Sequence, residues 1–254
     1  MGERKKTAVV TGGAGGIGKS VAKRLIEDGF RVVLVDRNGE SAKAAAEELG
    51  CDYTQFDITA VNDAPAVFQG IYEKYGSVDV LINNAGISTH RGPTDTIAES
   101  DWDKIIGVNL KALFFMAKAA APFMAKSGGG SIVNTSSMRA FLATGDRTLY
   151  AITKKAILSV DAELAADFWR YNIRVNSVSP PYVLTDMTRV HLTEPGWYEN
   201  QLETLLTKDM MLPEDIAEVA SFLASDESVA ISGTDISCTG GTVPCRGKLK
   251  DGGV

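Results

Sequence analysis

Tyr150 and Lys154 stand four residues apart at the head of a strongly helix-forming stretch, 156–169, with a loop-like run, 144–149, before them. A spacing of four places two side chains on one face of a helix. A phenol is a poor acid or base at neutral pH, because its ordinary pKa is about 10. A neighbouring ammonium favours the phenolate and draws that value toward the working range. The two residues are therefore a candidate proton-transfer pair. The plain alternative is one face of an amphipathic helix, so the rest of the chain has to decide.

A second chemical stretch lies near the N-terminus. An apolar run, 7–11, enters Gly12-Gly13-Ala14-Gly15-Gly16-Ile17-Gly18. A helical pattern over about 19–28 ends at Gly29, and a second apolar run, 31–35, ends on Asp36. Strand, glycine turn, helix, strand and acid is the layout of a dinucleotide-binding βαβ unit. Glycines let the backbone approach a pyrophosphate, and the helix N-terminus adds free N–H groups and a favourable dipole. Asp36 can accept hydrogen bonds from both hydroxyls of an adenosine ribose, and its charge repels a 2′-phosphate. NAD is thus favoured over NADP. Arg37 pulls the other way, since an arginine there can cradle that phosphate. The same turn fits the P-loop pattern literally, from Gly13 to Lys19-Ser20, with 32–36 as a magnesium-binding strand end. A P-loop nucleotide hydrolase is the competing reading.

The elements that must position these groups follow in order. A helix over 40–49 precedes a third strand, 51–56, closed by Asp57, which either hydrogen-bonds an adenine amino group or caps the next helix. A helix over 65–75 leads to a fourth strand, 78–82, and to Asn83-Asn84-Ala85-Gly86. These asparagines suit a turn and also supply amides that can lock loops beside a cofactor. The stretch 101–125 reads as one long helix with Asn109 in its middle, a poor helix-interior residue. Facing the core, it must be paired, as a structural hydrogen-bonding residue or as one that distorts the helix or holds a water near the site. A fifth strand, 131–137, has a polar end whose hydroxyls should face the ligand crevice. A sixth strand, 173–178, precedes 185–211, which lacks a clean period and reads as a substrate lid on short helices. A helix over 213–223 and a last strand, 231–238, precede a polar tail, 242–254. The alternation predicts an α/β fold: a Rossmann-like, doubly wound parallel sheet of about seven strands, helices on both faces, in one domain spanning 1–254.

Bulk properties narrow the partners. A net charge of −6 argues against nucleic acid or an anionic membrane as the main partner. There is no run of about 18 apolar residues and no signal-like N-terminus. Three scattered cysteines form no disulfide framework. The expected location is cytoplasmic.

The chain resembles the short-chain dehydrogenase/reductase family over essentially its whole length. The matching residues are Thr11-Gly12, Gly16-Ile17-Gly18, the Asn83-Asn84-Ala85-Gly86 run, Asn109, Ser137, Tyr150 and Lys154. Their number and order favour this reading over the P-loop. The resemblance implies hydride transfer between an alcohol carbon and the nicotinamide of NAD. Tyr150 would be the phenolate base and Lys154 its pKa partner and ribose donor. Ser137, chosen over Ser136 for its distance from Tyr150, would bind the substrate oxygen. Asn109 would support a water in a proton relay. Cofactor contacts are expected from Gly12, Gly15, Gly16, Ile17, Gly18, Asp36, Arg37, Asp57, Ile58, Asn84, Ala85, Gly86, Tyr150, Lys154, Pro180, Val183 and Thr185. Pro180-Pro181 departs from the family's frequent Pro-Gly, and Ala140 stands where glycine is common.

The substrate is expected to be a small alcohol or ketone bound near 88–93, 138–147, Tyr182 and the lid. His90, Arg91, Arg139, Arg147 and Arg189 fall in these segments. Arg139, Arg147 and Tyr182 are the substrate candidates, suggesting a polyol, sugar acid or other hydroxy acid. Solvated surface arginines or a subunit contact are the alternative. His90 and His191 are read as loop or lid residues, and no metal is expected. Trp197 is a candidate pocket wall. The resemblance also implies a homotetramer built on the 101–125 and 150–171 helices, with the tail crossing to a neighbour or fraying. A non-catalytic NAD-sensing protein is the third reading.

Overall fold

The computed structural model describes residues 4–88, 90–189, 193–202, 205 and 209–243. His191 and all but the first two residues of the tail lie outside the described residues. Seven strands form one sheet: β1 (Thr7–Thr11), β2 (Arg31–Asp36), β3 (Asp52–Gln55), β4 (Val80–Asn83), β5 (Gly130–Thr135), β6 (Ile173–Ser179) and β7 (Asp235–Ser237). Their order is β3-β2-β1-β4-β5-β6-β7, and every neighbouring pair is parallel.

Helices cover both faces, which is why the central strands read as continuous apolar runs. On one face α1 (Gly16–Glu27), α2 (Gly39–Leu49) and α7 (Pro213–Ala224) bury Val21, Leu25, Ala45 and Ile216 against Val10, Leu34 and Ile82. On the other, α3 (Ala64–Tyr75), α5 (Leu113–Lys126) and α6 (Thr148–Phe168) bury Phe68, Met116 and Leu164 against Val9, Leu81 and Ile132. Alternate residues of each strand thus feed two separate cores.

Three boundaries differ from the sequence expectation for physical reasons. The first helix begins at Gly16, inside the glycine turn. The last strand shrinks to Asp235–Ser237, because Ile231 donates to the Ser228 carbonyl at 2.9 Å and Gly233 takes φ +77°, holding 231–234 in a turn. The long 101–125 helix is three segments: α4 (Glu99–Ile106), a π-helical turn over Gly107–Ala112, and α5. By length and composition alone Glu99–Lys126 could cross a membrane. Here Met116, Ala117, Ala120 and Met124 are fully buried against the sheet, so it is a core element.

The chain winds outward from β1 through β2 and β3, then returns to β4 on the other side of β1. This reversal opens a crevice at the carboxyl ends of β1 and β4. Asn84 clamps the two edges together, donating from Nδ2 to the carbonyls of Thr11 (3.2 Å) and Gly12 (3.1 Å). Thr11 returns the contact, its hydroxyl accepting from the N–H groups of Asn84 (3.0 Å) and Ala85 (3.2 Å).

A buried polar chain runs beneath this crevice. Asn83 donates to Asn134 Oδ1 at 2.9 Å, and Asn134 donates to Asp161 Oδ1 at 2.6 Å. Asp161 Oδ2 is buried without a partner among the described residues. Burial, reinforced by the charge of Asp235, pushes the Asp161 carboxyl up to about 7 against hydrogen bonds from Asn134 and Ser177. Unfolded, it would ionise near its ordinary 3.8. Between those values the folded state holds one more proton than the unfolded state, so stability falls as pH rises through this window. Asp161→Asn is expected to flatten that fall by up to about 1.4 kcal/mol per pH unit. Urea unfolding of both proteins at pH 5 and pH 7 checks it; equal slopes contradict it.

Candidate active site

The crevice holds a cleft lined along its length by the carboxyl ends of β1, β2, β3 and β4. At one end are Asp36, Arg37, Asp57 and Ile58; toward the other are Gly15, Gly16, Ile17, Asn84, Lys154, Tyr150 and Thr185; Gly12, Ala85 and Gly86 are shared. Val35, Phe56, Thr59, Ile87, Val108 and Thr135 complete the walls. Asp36 is held in place by N–H groups, Oδ2 accepting from Ala14 at 3.3 Å and Oδ1 from Asn38 at 3.0 Å. Asp57 accepts from the backbone (2.9 Å) and hydroxyl (2.7 Å) of Thr59, which holds its carboxyl below the ordinary range. It therefore caps a short turn; α3 starts only at Ala64, so the helix-cap reading of Asp57 is corrected.

Close approach explains Gly12 and Gly18. Gly12 sits at φ +62°, and a Cβ there would lie 2.9 Å from the Ala85 Cα. A Cβ on Gly18 would stand 2.2 Å from the Gly12 carbonyl oxygen. Gly18 thus seats α1 on the turn and does not face the cleft. Pro180 and Val183 also lie behind its wall: Pro180 accepts from the Met138 N–H at 2.8 Å, and Val183 bridges to Met211.

The P-loop reading fails on geometry. Lys19 turns away from the cleft to pair with Glu48 at 2.6 Å, and Ser20 donates to Glu214 at 3.2 Å. Both side chains are thus engaged by carboxylates and neither lines the long cleft.

Asn109 lies in the π-helical turn and is buried. Its Oδ1 accepts from the Ile87 N–H at 2.8 Å, while Nδ2 donates to the Ile87 carbonyl at 2.9 Å and to Thr153 Oγ1 at 3.3 Å. Both expected roles meet here, a hydrogen-bonding anchor and a distorted helix. The amide fixes the loop after β4. A Cβ on Gly86 would lie 3.5 Å from Asn109 Oδ1 and 3.7 Å from Lys154 Nζ, ordinary contact distances that place Gly86 beside both groups.

Lys154 is buried on α6, and Nζ donates to the Thr135 carbonyl at 2.6 Å. Burial without a carboxylate lowers its pKa to about 8. Tyr150 opens the same helix, its ring centroid 5.5 Å from Lys154 Nζ. The expectation of a depressed phenol pKa is corrected here. Burial raises it and outweighs the hydrogen bond with Ser137 and the charges of Arg147 and Arg139. The raised value keeps Tyr150 in its neutral phenol form. Ser136 is buried and donates to the Lys154 carbonyl at 2.9 Å, so it supports the helix and leaves Ser137 as the hydroxyl facing the cavity.

A second cavity of about 330 Å³ adjoins the first. Ser137, Arg139, Arg147, Tyr182, Trp197 and Tyr150 are among its walls. Tyr182 and Trp197 form an edge-to-face pair at 5.7 Å. Of the five cations and histidines in the substrate segments, two line this cavity. Arg91 is tied to Asp146 (3.4 Å) and Glu194 (3.7 Å), Arg189 lines a separate surface hollow beside Lys19, and His90 is bonded with Thr96 at 2.8 Å. Sequence reasoning missed Ile87 and Thr135, which act through backbone groups and so leave no side-chain signal.

Residues 12–243 match a family model described as enoyl-(acyl carrier protein) reductase. Among curated relatives, the chain is 34% identical over 242 residues to D-threitol dehydrogenase of Mycolicibacterium smegmatis, covering 93% of this chain and 92% of that protein. Among solved structures, it is similar to 3-ketoacyl-(acyl-carrier-protein) reductase from Brucella melitensis complexed with NADH: TM-score 0.88, 28% identity, coverage 94% and 99%. It is equally similar to ElxO with NADP bound: TM-score 0.89, 28% identity, coverage 95% and 100%.

Asn109→Leu leaves the Ile87 N–H and carbonyl without their buried partners. It is expected to lower the unfolding free energy by about 1–3 kcal/mol, read by urea denaturation. An unchanged midpoint contradicts the anchoring role.

Proposed function

The chain belongs to the short-chain dehydrogenase/reductase family, and from that premise we propose that it is an NAD-linked oxidoreductase interconverting a secondary alcohol and a ketone. The observation that carries this reading is the place of Tyr150. Among the described residues it alone lines both the long cleft and the cavity beside it. A proton donor at that junction can meet a substrate oxygen in one cavity while a redox group lies in the other.

The cleft fits a nicotinamide dinucleotide. Its glycine cradle has no room for a Cβ at Gly12, an acid stands at one end in Asp36, and a buried ammonium stands at the other in Lys154. When bound, the cofactor supplies hydride transfer. The preference for NAD rests on Asp36, whose carboxylate is aimed at the cleft and would oppose a 2′-phosphate. Arg37 lines the same cavity, and solved neighbours hold NADH in one case and NADP in another.

Tyr150 gives its proton to the carbonyl oxygen in reduction and takes it back in oxidation. Ser137 donates a hydrogen bond to the same oxygen and stabilises the charge that builds there. Lys154, with one N–H spent on Thr135, has two left for ribose hydroxyls. Its ammonium favours the phenolate once the proton leaves. Asn109 holds Ile87 and with it the floor under Gly86. The relationship to a threitol dehydrogenase and the hydroxyl and guanidinium groups on the second cavity's walls support a polyol, sugar acid or other hydroxy acid as substrate. A homotetramer is part of the same reading, supported by exposed Trp102, Phe114, Ile152 and Trp169 on and beside α4, α5 and α6.

Tyr150→Phe should cut NAD-linked turnover below about one per cent of the parent while leaving NADH affinity within about threefold. Steady-state rates with a panel of polyols and hydroxy acids, beside an NADH titration, check it. Retention of more than about one per cent of the activity removes Tyr150 as the acid–base group.

A further inference from the structure

Arg139 is the unusual residue of the second cavity. It follows Ser137 by two positions on a short 3₁₀ turn, Met138–Ala140, and its backbone N–H donates to Ser137 Oγ at 3.2 Å. A guanidinium is rarely buried without a carboxylate, because it cannot shed its charge. Arg139 is only 8% exposed. Its hydrogen bonds among the described residues go to two neutral groups, the hydroxyls of Thr144 and Tyr182. Two of five N–H donors are thereby used.

Arg147 lines the same cavity and donates to Ser88 Oγ at 2.6 Å. Among the described residues, the cavity walls thus carry two guanidinium groups and no acid. Asp146 lies behind them: its carboxylate takes the Thr144 hydroxyl and pairs with Arg91. It offsets part of the charge without entering the cavity. The Tyr182 oxygen accepts from Arg139, which leaves its own proton free to donate to something else.

Resting on the oxidoreductase reading above, we propose that this cavity is a carboxylate subsite, and that the substrate is a small hydroxy acid or the matching keto acid. Arg139 and Arg147 hold the carboxylate while Ser137 and Tyr150 hold the oxygen that reacts. A neutral polyol would offer Arg139 only more neutral acceptors, of which it already has two. A carboxylate supplies the missing counter-charge and can take two N–H groups of one guanidinium together. The positive wall also explains how an acidic protein of net charge −6 would admit an anion. Trp197, buried against Tyr182, closes the far side with an apolar face for the carbon chain.

The test uses malonate, a dicarboxylate with nothing to oxidise, against propane-1,3-diol, its neutral counterpart. Both are titrated calorimetrically into the NADH-saturated protein. Malonate is expected to bind saturably and the diol not. Arg139→Gln should weaken malonate by at least about 30-fold while NADH affinity holds within about twofold. Arg147→Gln, a milder change at a less buried site, should weaken it by at least about fivefold. Absent malonate binding, or equal affinity in both variants, overturns the proposal. A protein that oxidised neutral polyols with NAD and ignored malonate would sink the carboxylate subsite and leave the oxidoreductase reading intact. Malonate bound through Arg139, with turnover surviving Tyr150→Phe, would do the reverse.

Discussion

The site depends on one clamp, the Asn84 side-chain amide across the carbonyls of Thr11 and Gly12. Those carbonyls end β1 at the point where the strand order reverses, so they have no further strand to bond. Left open, two buried acceptors would spread the edge apart. The clamp closes it and brings the Ala85 backbone so near Gly12 that no side chain fits between. Gly18 then presses α1 onto the same knot. A cleft floored by backbone, able to admit a flat and highly charged ligand, follows from that contact.

The chemistry is built outward from the floor by burial. Asn109 fixes Ile87 from below, and the π-helical turn it occupies is the cost of placing a polar side chain inside an apolar helix. Lys154 is buried against Thr135, which brings its pKa within reach of neutrality. Tyr150 is subject to the opposite effect, since burial penalises a phenolate as it penalises an ammonium. Burial therefore separates the two groups: it moves Lys154 down and Tyr150 up, so between them the proton rests on the phenol. A cationic ligand or side chain nearby shifts that balance toward the phenolate.

Much of this was legible in the sequence because the signals were local. Five glycines in seven residues, an acid at the next strand end and a Tyr–Lys pair at helical spacing each have a short-range physical reason. Parallel strands read plainly because burial on both faces makes them uniformly apolar. What escaped depends on distant packing. The sequence marks Arg139 as a substrate candidate, but nothing in it says that Tyr182, 43 residues on, meets its guanidinium in a buried site. Asp57 sits where a helix cap belongs, but a turn intervenes before α3. The depressed phenol pKa that the spacing predicts is overturned because spacing reveals the neighbouring charge and hides the desolvation that opposes it. Lys19 looked like a phosphate ligand until Glu48, on the next helix, drew it aside.

On the proposed reading the cleft takes NADH, with Asp36 holding the ribose. Fluorescence titration with NADH, using NADPH and magnesium-ATP as competitors, tests it most directly. The account predicts saturable NADH binding that NADPH displaces at least about tenfold less well than NAD does, with ATP the weakest. Preference for NADPH would mean that Arg37 overrules Asp36. ATP binding with no NADH signal would contradict the dinucleotide cleft itself.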